Sequence, residues 1–205
     1  MITKIIAYLK GLTLYHYLIV ATVLVAIVVY WLVGGNMTTD QDSVYQEVTK
    51  STLAGLSGEK YEEGEALVQV IVDDWLAQAE GLDIEEIVEI GKEDLEAKLQ
   101  GQNPEERLVT LHNIVLEREV RQLSSQALRL AQQVVDGKKT FEDAKAEAKE
   151  INAEITKFLE EVKQVQDPNL NKRLRRSLAD AGLECLYILN NGEGAMSIRL
   201  NRYAQ

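Results

Sequence analysis

The chain has 205 residues, 33 of them acidic and 22 basic, for a formal net charge of −11. Such a surface repels other polyanions, which sets aside DNA and RNA as partners. One cysteine, Cys185, excludes an internal disulfide, and within "GLECLYIL" it reads as a buried apolar thiol rather than a reactive one.

The first element is a membrane anchor. No Asp, Glu, Lys or Arg occurs between Lys10 and Asp40, and Leu12 to Val33 is almost wholly apolar. As a helix that stretch rises about 33 Å, which matches a hydrocarbon core of about 30 Å. Aromatic rings mark both ends, with Tyr15, His16 and Tyr17 at the start and Tyr30 and Trp31 at the finish. Amphipathic rings favour the headgroup level, so these five are the expected membrane-interface residues. A cleaved signal would have a shorter apolar core followed by small residues, whereas this run ends in "YWLVGGNM". The sequence therefore predicts a retained signal anchor. "NMT" at Asn36 has the form of a glycosylation acceptor but lies close to the bilayer.

Flanking charge sets the orientation. The N-terminal side carries Lys4 and Lys10 with no acid, while Asp40, Asp42 and Glu47 precede the first base, Lys50, on the other side. Positive charge stays inside, so the prediction is a single-pass protein of the cell membrane. Its N-terminus is cytoplasmic and its C-terminal domain is periplasmic or otherwise extracytoplasmic. All 33 acidic residues and all but two of the 22 basic ones lie beyond residue 39, giving the exported part about −13.

Helices are expected over 40–56, 59–80, 83–100, 104–136, 140–166 and 168–190. Both prolines follow a capping residue, in "NPEE" at Asn103 and "DPNL" at Asp167. Proline at the first helical position loses nothing, because its absent N–H would be unpaired there. "DIEE" at Asp83 and "TFED" at Thr140 have the form of capping boxes, and Gly81, Gly101, Gly137 and Gly192 stand just past helix ends. "ALVQVIVDDW" holds enough Val and Ile to raise a strand, but without clean alternation the helix is preferred. No 34-residue repeat signature is present.

The sharpest pattern lies further on. Phe141, Ala144, Ala148, Ile151, Ile155, Phe158, Val162 and Val165 recur at spacings of three and four, a heptad seam among charged residues. The preceding helix has a seam of its own in Leu116, Val120, Leu123, Ala127, Leu130 and Val134. "DGKK" joins them by a short turn, so an antiparallel hairpin about 40 Å long is predicted. Leu108, Leu111, Ile114, Val115 and Leu128 lie off the seam, so that helix has apolar surface for a further partner.

Residues 167–205 differ in charge, at about +2. Lys172, Arg173, Arg175 and Arg176 in "KRLRR" are candidate docking cations for lipid phosphate. The plainer expectation is a solvated helix face or pairing with this chain's own acids. In "AMSIRLNRYA", Met196, Ile198 and Leu200 alternate with polar residues, which reads as a short strand or a disordered tail.

Catalytic chemistry finds little support. His16 suits an interfacial ring, and His112 in "LVTLHNIV" suits a contact between helices. No HExxH, GxSxG, GxxxxGK[ST] or GxGxxG occurs, and the Glu86/Glu89 and Glu93/Glu96 pairs lack the histidine that a di-metal carboxylate bundle needs. Neither enzyme activity, nor a cofactor, nor a metal is expected.

The prediction is an all-α protein: one transmembrane helix followed by an extracytoplasmic helical bundle containing a long antiparallel hairpin. Its segments are a cytoplasmic N-terminus (1–11), the anchor (12–33), membrane-proximal helices (34–102), the hairpin (103–166) and a C-terminal helix and tail (167–205). The expected function is a scaffold or assembly subunit of a larger membrane complex, with the bilayer, other subunits or further copies of itself as partners. A sensory or ligand-binding helical bundle is the alternative, and a phage or virus envelope or lysis factor is the second.

Overall fold

The computed structural model describes residues 42–79 and 83–205. The expected anchor Leu12–Val33, its interface residues Tyr15, His16, Tyr17, Tyr30 and Trp31, and Gly81 lie outside the described residues. The fold is all-α, with helix α1 at 42–52, α2 Glu59–Gln78, α3 Ile84–Leu99, α4 Pro104–Val135, α5 Phe141–Val162, α6 Pro168–Leu189 and α7 Ile198–Tyr203. Among the described residues, no helix is long and apolar enough to cross a membrane.

Helix starts follow local chemistry. The Asn103 side chain accepts the N–H of Glu106 at 3.0 Å, and the Glu106 carboxylate accepts the N–H of Asn103 at 3.0 Å. This reciprocal box satisfies two donors that the first turn of α4 would otherwise leave unpaired. Asp83 takes the N–H of Glu85, Thr140 that of Asp143, and Asp167 those of Asn169 and Leu170. Between α4 and α5, Gly137 has φ 69 and Lys138 donates its N–H back to Gln133 at 2.9 Å, which folds the chain over.

Two apolar cores share α4. The first gathers Val48 and Leu53, Val68, Ile71 and Val72 of α2, Leu95 and Leu99 of α3, and Leu111 and Val115 of α4. The second collects the later half of α4, α5, α6 and Leu200 of α7. At 1.5 Å per residue, the 32 residues of α4 form a spine about 48 Å long. Both cores close on it.

Within the second core, Glu117 meets Arg173 and Ser124 meets Ser177, so α6 runs in the direction of α4. The short α4–α5 turn sends α5 back between the same levels. This is a three-helix bundle, and α6 supplies its third stripe with Leu170, Leu174, Leu178, Ala181, Cys185 and Ile188.

Two expectations are corrected. The alternating tail is neither strand nor disordered but helix α7, started by Ser197, whose hydroxyl accepts the N–H of Leu200 at 3.1 Å. A strand needs an edge to pair with, and among the described residues there is no strand. Helices α1 and α5 also end before the expected residues 56 and 166. Gly55, at φ 91, turns the chain after α1, and Asn171 of α6 donates to the carbonyls of Val162 and Val165 at 2.7 and 3.2 Å, fixing the turn after α5.

Candidate functional site

The seam positions come together in the second core. Val120, Leu123, Ala127, Leu130, Val134, Ala144, Ala148, Ile151, Ile155, Val162 and Val165 are buried there, with Leu116, Phe141 and Phe158 packed against it half-buried. Ala127, Ala144 and Ala148 are fully buried, which lets helix backbones approach closely. The seam is therefore internal, and the outer faces are largely charged, with Ile90, Val109 and Leu186 among the exposed apolar side chains.

Lys172, Arg173, Arg175 and Arg176 are exposed on the first turns of α6. Arg173 lies 3.3 Å from Glu117 of α4, a pairing with the chain's own acid. No ion pair among the described residues involves the other three. His112 is half-exposed, its Nε2 2.7 Å from the Glu63 carboxylate of α2, which makes it a surface contact between helices. Glu86, Glu89, Glu93 and Glu96 are exposed along α3, and no described group of three or more His, Cys, Asp or Glu could hold a metal ion.

Sequence reasoning missed the most heavily bonded polar cluster. Glu184 of α6 is fully buried, and its carboxylate accepts from Arg199 Nε and Nη2 and from the Ser197 hydroxyl, each at 2.6 Å. Arg199 also donates to the Ser124 carbonyl of α4 at 2.8 Å, and the Ser177 and Ser124 hydroxyls bond at 2.9 Å. Three donors satisfy the buried carboxylate, so this cluster fastens α7 to α4 and α6. The only signal in the sequence was an acid inside an apolar run, "GLECLYIL".

Two open depressions border α4. One, of about 580 Å³, lies where α1, α3 and the start of α4 meet, and its cation, Arg107, donates to the backbone carbonyls of Gln102 and Thr52. The second, of about 360 Å³, runs beside α4 where α5 ends. Val115, Leu116 and Val165 give it an apolar floor, Val109 stands exposed at one end, and Glu119 and Glu161 are at the other. Burial and the nearby Glu161 charge raise the pKa of Glu119, with Arg118 opposing them.

Compared with known proteins, the chain matches no family model, no curated protein and no solved structure.

Proposed function

We propose that this protein is a membrane-anchored scaffold subunit that works through protein–protein contacts. In this reading Leu12–Val33 holds it to the bilayer with the N-terminus in the cytoplasm. The acidic helical body then stands on the extracytoplasmic side as a docking arm for other subunits of a membrane complex. The observation that carries it is α4: one uninterrupted helix of 32 residues belongs to both cores. Such a spine transmits position from one end of the body to the other, as a tethering part must. The acidic surface keeps the arm soluble and off anionic lipid faces.

The test begins with topology. A cysteine placed at the exposed Glu193 is expected to react with a membrane-impermeant maleimide in intact cells, and one at Thr3 is not. Photo-crosslinkers placed along the outer faces of α3 and α4 should then yield discrete adducts with other membrane proteins. Protection of position 193 from the reagent, or recovery of monomer alone at every site, overturns the proposal.

A further inference from the structure

The groove beside α4 is the part of the surface whose chemistry names its occupant. Helix α5 runs back from residue 141 and ends at Val162, while α4 continues to Pro104. One side of α4 is covered by α2, through Glu63 with His112 and Asp74 with Arg118 at 2.7 Å each. The side facing α5 loses its cover where α5 stops, and there Val109 is 56% exposed. Beneath lie Val115 and Val165, buried members of the two cores, so the apolar surface the groove presents is Val109 with the half-buried Leu116.

His112, held by Glu63 at 2.7 Å, also borders the groove; towards α5 the rim is acidic and uncompensated. Among the described residues neither the Glu119 nor the Glu161 carboxylate makes an ion pair or hydrogen bond. Neighbouring acids of the same helices do: Glu117 has Arg173 and Arg121, and Glu160 has Lys163. Arg118, the cation that opposes the raised pKa of Glu119, donates to Asp74 at 2.7 Å.

We propose that this groove docks a basic amphipathic helix of a partner protein. Its apolar side chains, at i, i+3 and i+4, cover Val109 and Leu116, and a Lys or Arg one turn away lies between Glu119 and Glu161. Helix-in-groove recognition uses this division of labour: anchors supply affinity, and rim charge supplies register and on-rate. The inference rests on the scaffold reading and gives that scaffold a partner class.

A second copy of this chain is the weaker occupant. The exported body carries about −13. Its exposed basic cluster at Lys172–Arg176 is a different surface from the groove, so self-docking would run head to tail and build open chains rather than closed dimers.

The test uses the full chain in phosphatidylcholine nanodiscs, with empty nanodiscs as the blank. The probe is a fluorescent 18-residue Leu/Lys amphipathic helix, set against its scrambled sequence and a Leu/Glu version. The expected result is saturable binding of the Leu/Lys helix alone. Glu119→Lys, Glu161→Lys and Val109→Asp should each weaken it about tenfold or more, a loss near 1.4 kcal/mol. Glu93→Lys on α3, an equal change of net charge away from the groove, should leave it unchanged.

Equal weakening by Glu93→Lys, or equal binding of the scrambled helix, reduces the effect to general acidity and overturns the proposal. Self-association abolished by Glu119→Lys also overturns it, in favour of a second copy. A photo-crosslinker at position 109 separates this proposal from the scaffold reading. Adducts from α3 positions with none from position 109 defeat the groove and leave the scaffold standing. Adducts from neither defeat both.

Discussion

Arg199 and Glu184 form a two-pronged ion pair, Nε and Nη2 each 2.6 Å from a carboxylate oxygen, with Glu184 wholly out of solvent. Fifteen residues apart in sequence, they close the last helix onto the three-helix bundle. Removing one partner of a buried pair strands the other charge, at a cost of roughly 3–5 kcal/mol. Arg199→Ala should therefore lower the unfolding free energy by about 3 kcal/mol in urea titrations. The double change Arg199→Met with Glu184→Leu should cost clearly less, because no charge is left unpaired. If Arg199→Ala loses under about 1 kcal/mol, the pair does not hold the tail.

What the sequence disclosed was what short-range chemistry decides. Asn103, Thr140 and Asp167 announced helix starts that the structure places at the next residue, because each cap bonds to backbone within three positions. The stripes of α4 and α5 were visible as spacing alone. Endings were less legible, since they depend on contacts from elsewhere: Asn171 reaching back to Val162, or the turn at Gly55. The tail was misread because five alternating residues fit either element, and the partner that decided it, Glu184, lies on another helix. The stripe of α6, at spacings of three and four, was present but overlooked beside "KRLRR". The groove depends on how far α5 reaches along α4, and that is a tertiary fact.

Helices α2 and α3 meet at a glycine. A Cβ added to Gly91 would lie 2.6 Å from ring atoms Cδ2 and Cε2 of Trp75, closer than carbon atoms can approach. Gly91→Ala gains about 1 kcal/mol of helix propensity but forces the indole outward, at a cost of roughly 1–3 kcal/mol. A net loss of about 1 kcal/mol is expected, with a red shift of the native Trp75 emission. The measurement is cleanest in a Trp31→Phe background, which leaves a single indole. An unshifted spectrum with raised stability would show that the ring yields freely.

Cys185 is fully buried in the three-helix core, and burial, reinforced by the adjacent Glu184 charge, pushes its thiol up to about 12. A thiol with so little thiolate is a poor nucleophile at neutral pH, and it is also out of reach. Native protein is expected to resist a colorimetric disulfide reagent at about pH 8. It should label only as denaturant opens the bundle, with the midpoint of global unfolding. Arg199→Ala should hasten labelling by loosening α7. Rapid labelling of the unperturbed native chain would mean that this core opens locally.

Glu119 carries the pH dependence of the groove. Desolvation and the Glu161 charge across from it raise its pKa, and Arg118, held by Asp74, only partly opposes them; His112, on the same side of α4, is engaged with Glu63. A carboxyl whose native pKa exceeds its unfolded one binds protons more tightly when folded. Its contribution is complete below the unfolded value, near pH 4, and is lost as pH rises through the native value. Glu119→Gln keeps the shape and removes the charge. It should raise Tm at about pH 7 and converge with the unmodified protein towards about pH 4. Glu161→Gln should bring the Glu119 titration down, read by NMR of its side-chain carboxyl. With the basic helix docked the sign reverses, because a cation between the two carboxylates favours their ionised forms. Glu119→Gln should then weaken docking at neutral pH even as it stabilises the free protein. If Glu119→Gln instead leaves the chain less stable than its parent at about pH 7, Glu119 is already paired, leaving no vacant charge for a partner to answer.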